Sequence, residues 1–278
     1  MIYPLYEQAK KFLMKEYESN FRFVQSSRYY TIYINEKIKH SFQVSGVGNG
    51  ILMHEAYFKD KNRDFTDIAR TAILLHDIYR FREIRGLFEA NKHIDHSVCG
   101  AQLLKETKDF NNILITLPIK HHGHMIEALY EDEEYQKQDI ATQEDVKNIS
   151  FAVRDADKIA NWHFLCHEWD AIKDVWMEYP DDLSAKQGVI NDKLWQFFIE
   201  RKVGPRTLQI TNGDRLMLLI CWLFDINYAY SIDYSIKLDC FNGLCDLLRK
   251  VKVPEERICT VKHIIKDYVF EKFDKVIF

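Results

Sequence analysis

Apolar residues recur along this chain at helical rather than alternating spacing, and only 10 Gly and 5 Pro interrupt them over 278 residues. Both facts point to an all-α protein. The segment 66–80, TDIARTAILLHDIYR, shows the pattern well: Ile68, Ala72 and Leu75 share one helical stripe, and Thr66 with Asp67 reads as its start signal. The spacing predicts a buried helix that ends in a polar His76-Asp77 pair. Segment 147–170 repeats the pattern, with Ile149, Ala152, Val153, Ala156, Ile159 and Ala160 interrupted by charged residues that a purely structural helix rarely turns inward. Those interruptions carry the chemistry.

The stretch 34–58 also reads as a helix, although Gly46, Gly48 and Gly50 lie inside it and each costs about 1 kcal/mol against Ala, which leaves its boundaries open. Acidic residues 131–134 and the polar residues up to 148 read as a solvated loop or a short exposed helix between two core helices. Farther on, Pro180-Asp181-Asp182 and Gly204-Pro205 mark loops, and 215–230, RLMLLICWLFDINYAY, reads as one buried helix whose aromatics make core.

A content of 47% hydrophobic and 14% aromatic residues suffices for a packed core. Lys and Arg number 38 against 42 Asp and Glu, so no global basic field argues for nucleic acid or an anionic membrane, and any phosphate must be met by a local cluster. The six cysteines lack the short spacing of a zinc knuckle or redox pair and read as reduced core thiols. The first twenty residues mix charges into their apolar positions, unlike a signal peptide, and no segment approaches the roughly 20 apolar residues of a membrane span. A cytoplasmic location is the expectation.

Histidines stand beside carboxylates at several places: His76-Asp77, His93 and His96 around Asp95, His121-His122, and the Asp155 to Asp157 segment. Imidazole and carboxylate together suit Mn, Fe, Co, Ni or Zn, and a carboxylate-rich set tolerates Mg. A hydrolytic metal is the natural inference.

The order of these residues resembles the HD-domain superfamily of metal-dependent phosphohydrolases, whose pattern is a lone His on an early helix, an adjacent His-Asp at the end of a buried helix, and a later helical Asp. Here the early helix reads KHSFQV around His40, the doublet sits in TAILLHDIYRF, and the late helix reads VRDADKIANW. DHSVCGAQLL with His96 and IKHHGH with His121 and His122 fall where two-metal members carry extra histidines. The resemblance implies a single mostly helical unit, an HD helical bundle over roughly 25–175 with a C-terminal helical extension over 176–278. It implies a primary site of His40, His76, Asp77 and Asp157, with Asp77 bridging to a second ion held by His96, His121 and His122. One or two divalent ions (Mn, Fe, Co, Ni, Mg or Zn) follow as cofactors, and a nucleotide or small phosphoester, cleaved by a metal-activated water, follows as the substrate. Such an ion lowers the pKa of bound water towards about 7 and polarises a phosphoryl oxygen.

Asn161 shares the face of Asp157 one turn on, and a matching Asn in the related alarmone hydrolases implies a substrate contact. Arg80, Arg82, Arg85 and Lys92 follow the doublet, and Arg80 is the first choice for phosphate because many members carry Lys at its place. Asp77 and Arg80 are thus the expected catalytic pair. The chain departs from the nucleotidases and alarmone hydrolases, which have a Glu shortly after the doublet where Arg80 stands here. It also lacks the Gly-Tyr-Pro motif of the cyclic-di-GMP phosphodiesterases after His121-His122.

His163 and His167 form an i,i+4 pair near Glu168 that reads as ordinary helical histidine, and His54, His93, His124 and His263 have no ordered partner. Three alternatives stay open. One is a di-iron oxygenase on the same cage, and another is a regulatory module that binds a nucleotide without turnover, favoured by the missing acidic residue after the doublet. The third is a chain whose aromatic C-terminal region forms a homo-oligomer.

Overall fold

A computed structural model describes residues 3–91, 94–176 (the last seven as backbone) and 188–278. Among these the regular elements are all helical. The chain divides into two compact units, Met1–Asp157 and Lys158–Phe278. The first contains α1 (Pro4–Val24), α2 (Arg28–His54), α3 (Ala56–Lys59), α4 (Arg63–Leu75), α5 (Arg80–Ala90), α6 (His96–Lys105), α7 (Ile113–His121), α8 (Glu127–Tyr130), α9 (Glu133–Gln136) and the start of α10 (Ile140–Trp176). The second contains the rest of α10 with α11 (Asp192–Ile199), α12 (Asn212–Cys221), α13 (Ala229–Lys237), α14 (Cys240–Lys250) and α15 (Glu255–Phe273). Lys92, His93 and the loop expected at Pro180-Asp181-Asp182 lie outside the described residues. Among the described residues no helix is long and apolar enough to cross a membrane.

α2 runs unbroken through its three glycines. Gly48 explains one of them, since a Cβ there would stand 2.6 Å from Ile73 Cγ2, so its absence lets α2 approach α4 closely. That packing offsets the propensity cost of the glycine. α4 starts at Arg63, not at Thr66, because the Asn62 side chain accepts from the Phe65 amide at 2.9 Å and caps it. Asp67 therefore lies inside α4. Its buried carboxylate accepts from the Leu5 and Tyr6 amides at 2.9 and 2.8 Å, and so caps α1, whose own N-cap Tyr3 contributes no side-chain capping bond.

The acidic stretch folds into α8 and α9 before α10 begins at Ile140, and it is not wholly solvated: Leu129 and Tyr135 pack with Leu117 and Val146 in a buried cluster. In the second unit the expected single helix over 215–230 breaks. α12 ends at Cys221, a 3-10 turn spans Trp222–Asp225, and α13 starts at Ala229. The break is held by partners for the freed polar groups: Trp162 Nε1 donates to the Leu219 carbonyl at 2.9 Å, and Lys158 Nζ pairs with Asp225 Oδ2 at 2.9 Å. All six cysteines are free thiols. Cys221, Cys240 and Cys245 are buried as a core reading requires, whereas Cys259 on α15 is exposed.

Replacing Asp67 with Ala strips α1 of this side-chain cap and leaves two backbone amides poorly satisfied. The expected loss is about 1–2 kcal/mol, read as a lower urea midpoint for Asp67→Ala than for wild type at an unchanged slope.

Candidate metal centre

The centre is built where helices of the first unit end. α4 stops at Leu75, and His76 as its C-cap uses Nδ1 to donate to the Ile73 carbonyl at 3.0 Å. α7 stops the same way: His122 is its C-cap and its Nδ1 donates to the Ile119 carbonyl at 2.7 Å. With Nδ1 carrying the proton, each ring presents its Nε2 lone pair inward. Both rings are buried, and their planes stand at 90° with centroids 5.3 Å apart.

Asp77 lies between them, only 3% exposed. Its Oδ2 faces His76 Nε2 at 3.7 Å, and its Oδ1 faces His96 Nε2 at 3.2 Å and His122 Nε2 at 3.4 Å. One carboxylate thus serves two groups of potential ligands, His40 with His76, and His96 with His122. Asp157 on α10 completes the first group, accepting from His40 Nε2 at 2.8 Å and lying 3.7 Å from His76 Nε2. The residues fit a divalent cation on their own terms. His76 Nε2 is buried without a hydrogen-bond partner, and His96 and His122 point nitrogen at nitrogen across 3.3 Å. A bound cation would give the buried His76 nitrogen a partner, and it could replace the ring proton that otherwise bridges His96 and His122.

Electrostatics agree. Burial pushes Asp77 towards its neutral form, but Lys37, Arg80 and His76 outweigh it and hold the carboxyl far below its ordinary range. Burial likewise works against ionised Asp157, and the His40 hydrogen bond together with the nearby His76 overrides it. His96 is pushed down to about 3, mainly by burial with the Arg80 charge adding to it, so its ring is a neutral ligand at physiological pH.

The turn that carries His122 is fixed from behind. Arg154 of α10, 4% exposed, donates to the carbonyls of His121 and His122 at 3.2 and 3.3 Å and to that of His124, collecting the unsatisfied end of α7. His96 is the first residue of α6, whose N-cap Asp95 accepts from the Ser97 and Val98 amides and, on its other oxygen, from His124 Nε2 at 3.0 Å. Burial would raise the Asp95 carboxyl, but these bonds bring it down to about 2. A single clasp therefore ties α6 to the α7 turn and sets His96 against His122.

Residues 38–162, which span every one of these groups except Lys37, match the HD domain family. That segment is an HD domain. HD domains are all-helical and mostly metal-dependent hydrolases, in keeping with the helical first unit and its His/Asp centre. Neither a curated protein nor a solved structure matches the chain.

The HD centre gathers His40, His76, Asp77, Asp157, His96 and His122. It does not gather His121, which the sequence reading placed among the ligands. His121 Nε2 sits on Asp132 Oδ2 at 2.7 Å, at the N-cap of α9, because the α7 C-terminus turns successive side chains to different sides. Arg80 adjoins the centre but is engaged there, with Nε 3.4 Å from Asp77 Oδ1 and Nη1 2.7 Å from Glu83 Oε2. Asn161 lies half-buried on α10, one turn beyond Asp157. Arg82 pairs with Glu16 and Arg85 with Glu89, away from Asp77.

Two site residues escaped the sequence reading. Lys37 Nζ lies 3.3 Å from Asp77 Oδ2, and its position one turn before His40 is the signal that could have found it. Glu83, 6% exposed, places Oε2 3.7 Å from His96 Nδ1 as well as on Arg80. A Glu one turn after Arg80 is too common on helices to have stood out.

The geometry separates the two adjacent histidines. After loading with Mn²⁺ and desalting, His121→Gln is expected to retain the wild-type metal content by elemental analysis, whereas His122→Gln loses metal. Equal loss in both would contradict this arrangement.

Proposed function

We propose that the protein is a metal-dependent phosphohydrolase acting on a nucleotide or small phosphoester. The observation that supports this reading is the sharing of Asp77 between two groups of inward-facing imidazoles in an HD domain. His40, His76, Asp77 and Asp157 would hold one divalent ion, and Asp77, His96 and His122 a second. A divalent ion there supplies Lewis acidity to a phosphoryl oxygen and makes water a nucleophile near neutral pH.

The chain's own groups do the rest. His76, fully buried, closes the back of the centre against solvent, while the side chains of Lys37, Arg80 and Asp157, each about a fifth exposed, mark its open side. The Arg80 guanidinium, locked by Asp77 and Glu83, keeps a fixed positive charge beside the reacting phosphate. Asn161, on the same helix as Asp157, is proposed as a substrate contact. The wider reading has a small phosphorylated substrate as a partner and keeps a homo-oligomer open.

The test is phosphate release from a panel of nucleotides and small phosphoesters, with Mn, Co, Ni, Mg and Fe each added. Metal-dependent release is expected in wild type, with a fall of at least about 10³-fold in Asp77→Ala because both ion groups lose their common ligand. Nucleotide binding without release under every metal would select the regulatory-module reading, and oxygen consumption by iron-loaded protein would select the oxygenase.

A further inference from the structure

The face of α2 that carries His40 continues outward through residues the hydrolase reading leaves unused. His40 and Lys37 both approach the Asp77 carboxylate from this helix, one turn apart. By helical periodicity Tyr33 lies on the same face, four residues before Lys37 and seven before His40. Tyr33 is a near neighbour of Arg80, which places it on the Arg80 side of the centre. Tyr33 is half-buried, and more rings stand around it: Tyr29 at 6.3 Å edge-to-face, and Tyr30, itself 5.4 Å from Phe88 of α5.

The charges here are not equivalent. Arg80 is held by two carboxylates, whereas Lys37 meets Asp77 through one bond of 3.3 Å, with its side chain 19% exposed. An ammonium on a flexible four-carbon stem can leave that carboxylate for an anion in the opening, and a guanidinium locked on both sides cannot do so without breaking two ion pairs. Lys37 is therefore the mobile cation of the site and Arg80 the fixed one.

Spacing then fixes what Tyr33 can meet. At 1.5 Å per residue, Tyr33 stands about 10 Å along α2 from His40. A phosphate at the centre that is esterified to a small alcohol ends well short of that ring. A phosphate joined through a sugar to a planar heterocycle reaches it.

We propose that Lys37 and Tyr33 form the recognition surface for the substrate, Lys37 binding the phosphate and Tyr33 stacking on a planar aromatic group one sugar away, as in a nucleoside monophosphate. This deepens, and rests on, the reading of the centre as a phosphohydrolase site. Tyr33 supplies binding through its π face, which is tolerant of the base it meets, so the surface favours nucleotides as a class over aliphatic phosphoesters.

The products of such a reaction, nucleoside and inorganic phosphate, are not turned over, so each half can be read by binding alone. Titration calorimetry on Mn²⁺-loaded full-length protein, with adenosine, guanosine, cytidine, uridine and inorganic phosphate, separates them. Tyr33→Leu is expected to weaken nucleoside binding about tenfold or more while leaving phosphate binding unchanged, and Tyr33→Phe to restore it. Lys37→Met is expected to do the reverse, weakening phosphate about tenfold and sparing nucleosides. Failure of all four nucleosides to bind wild type, or a Tyr33→Leu protein that binds them as tightly as wild type, would overturn the proposal. Tyr33-dependent nucleoside binding without phosphate release from any substrate would instead leave the surface standing and remove the hydrolase reading.

Discussion

A single buried carboxylate organises the first unit's chemistry. Asp77 directs one oxygen to His76 and Lys37 and the other to His96, His122 and Arg80, so three imidazoles and two cations take their positions from one side chain. Burying an ionised carboxylate is costly unless charge and hydrogen bonding answer it. Here they do, with positive charge on both oxygens, and the result is a group that stays ionised despite 3% exposure. Lys37, Arg80, Glu83 and Asp157 also adjoin the centre, so three carboxylates face two cations. That imbalance, together with four imidazoles whose inward nitrogens converge, is an environment made for added positive charge.

Holding histidines against that carboxylate requires each ring to be oriented from behind. The fold uses one device twice: a histidine placed as the C-cap of a helix spends Nδ1 on the carbonyl three residues earlier and leaves Nε2 for the interior, as at His76 and His122. The helix end thus gains a partner for an unsatisfied carbonyl, and the site gains a fixed tautomer. Arg154 performs the same service for the last carbonyls of α7, and the His124–Asp95 bond transmits that position to His96. The arrangement explains why charged residues interrupt the apolar stripe of α10: Arg154 and Asp157, one turn apart, serve the α7 turn and the centre.

The helical class and the approximate places of α4 and α10 could be read from periodicity, since both bury a stripe at 3.6-residue spacing. Their ends could not, because local start signals compete: Asp67 looks like a cap for its own helix and is instead the cap of α1, through contacts more than sixty residues away in sequence. Gly48 looked like a flaw in a helix until Ile73 stood against it. The family resemblance implied the six residues now found together, with His121 as a seventh, but sequence order cannot say which of two adjacent histidines faces inward. His121 and His122 differ by one residue, about 100° of helical rotation, and the partner that settles the matter, Asp132, belongs to an acidic stretch that reads as solvent-facing.

The absence of an acidic residue immediately after the doublet, which favours a module that binds without turnover, is met in three dimensions by a carboxylate one turn on. Position 80 carries a guanidinium, but the next turn of α5 brings Glu83 to the same place, its Oε2 on Arg80 at 2.7 Å and 3.7 Å from His96 Nδ1. A carboxylate therefore stands at the centre after all, displaced by one helical turn and joined to a cation that a Glu at position 80 would have lacked. The pair keeps a net charge near zero where a lone carboxylate would add to Asp77 and Asp157, so Arg80 can remain beside the open side without being neutralised by Asp77 alone. By position the chain has no acidic residue directly after the doublet; by contact, Glu83 stands beside His96 in an ion pair with Arg80.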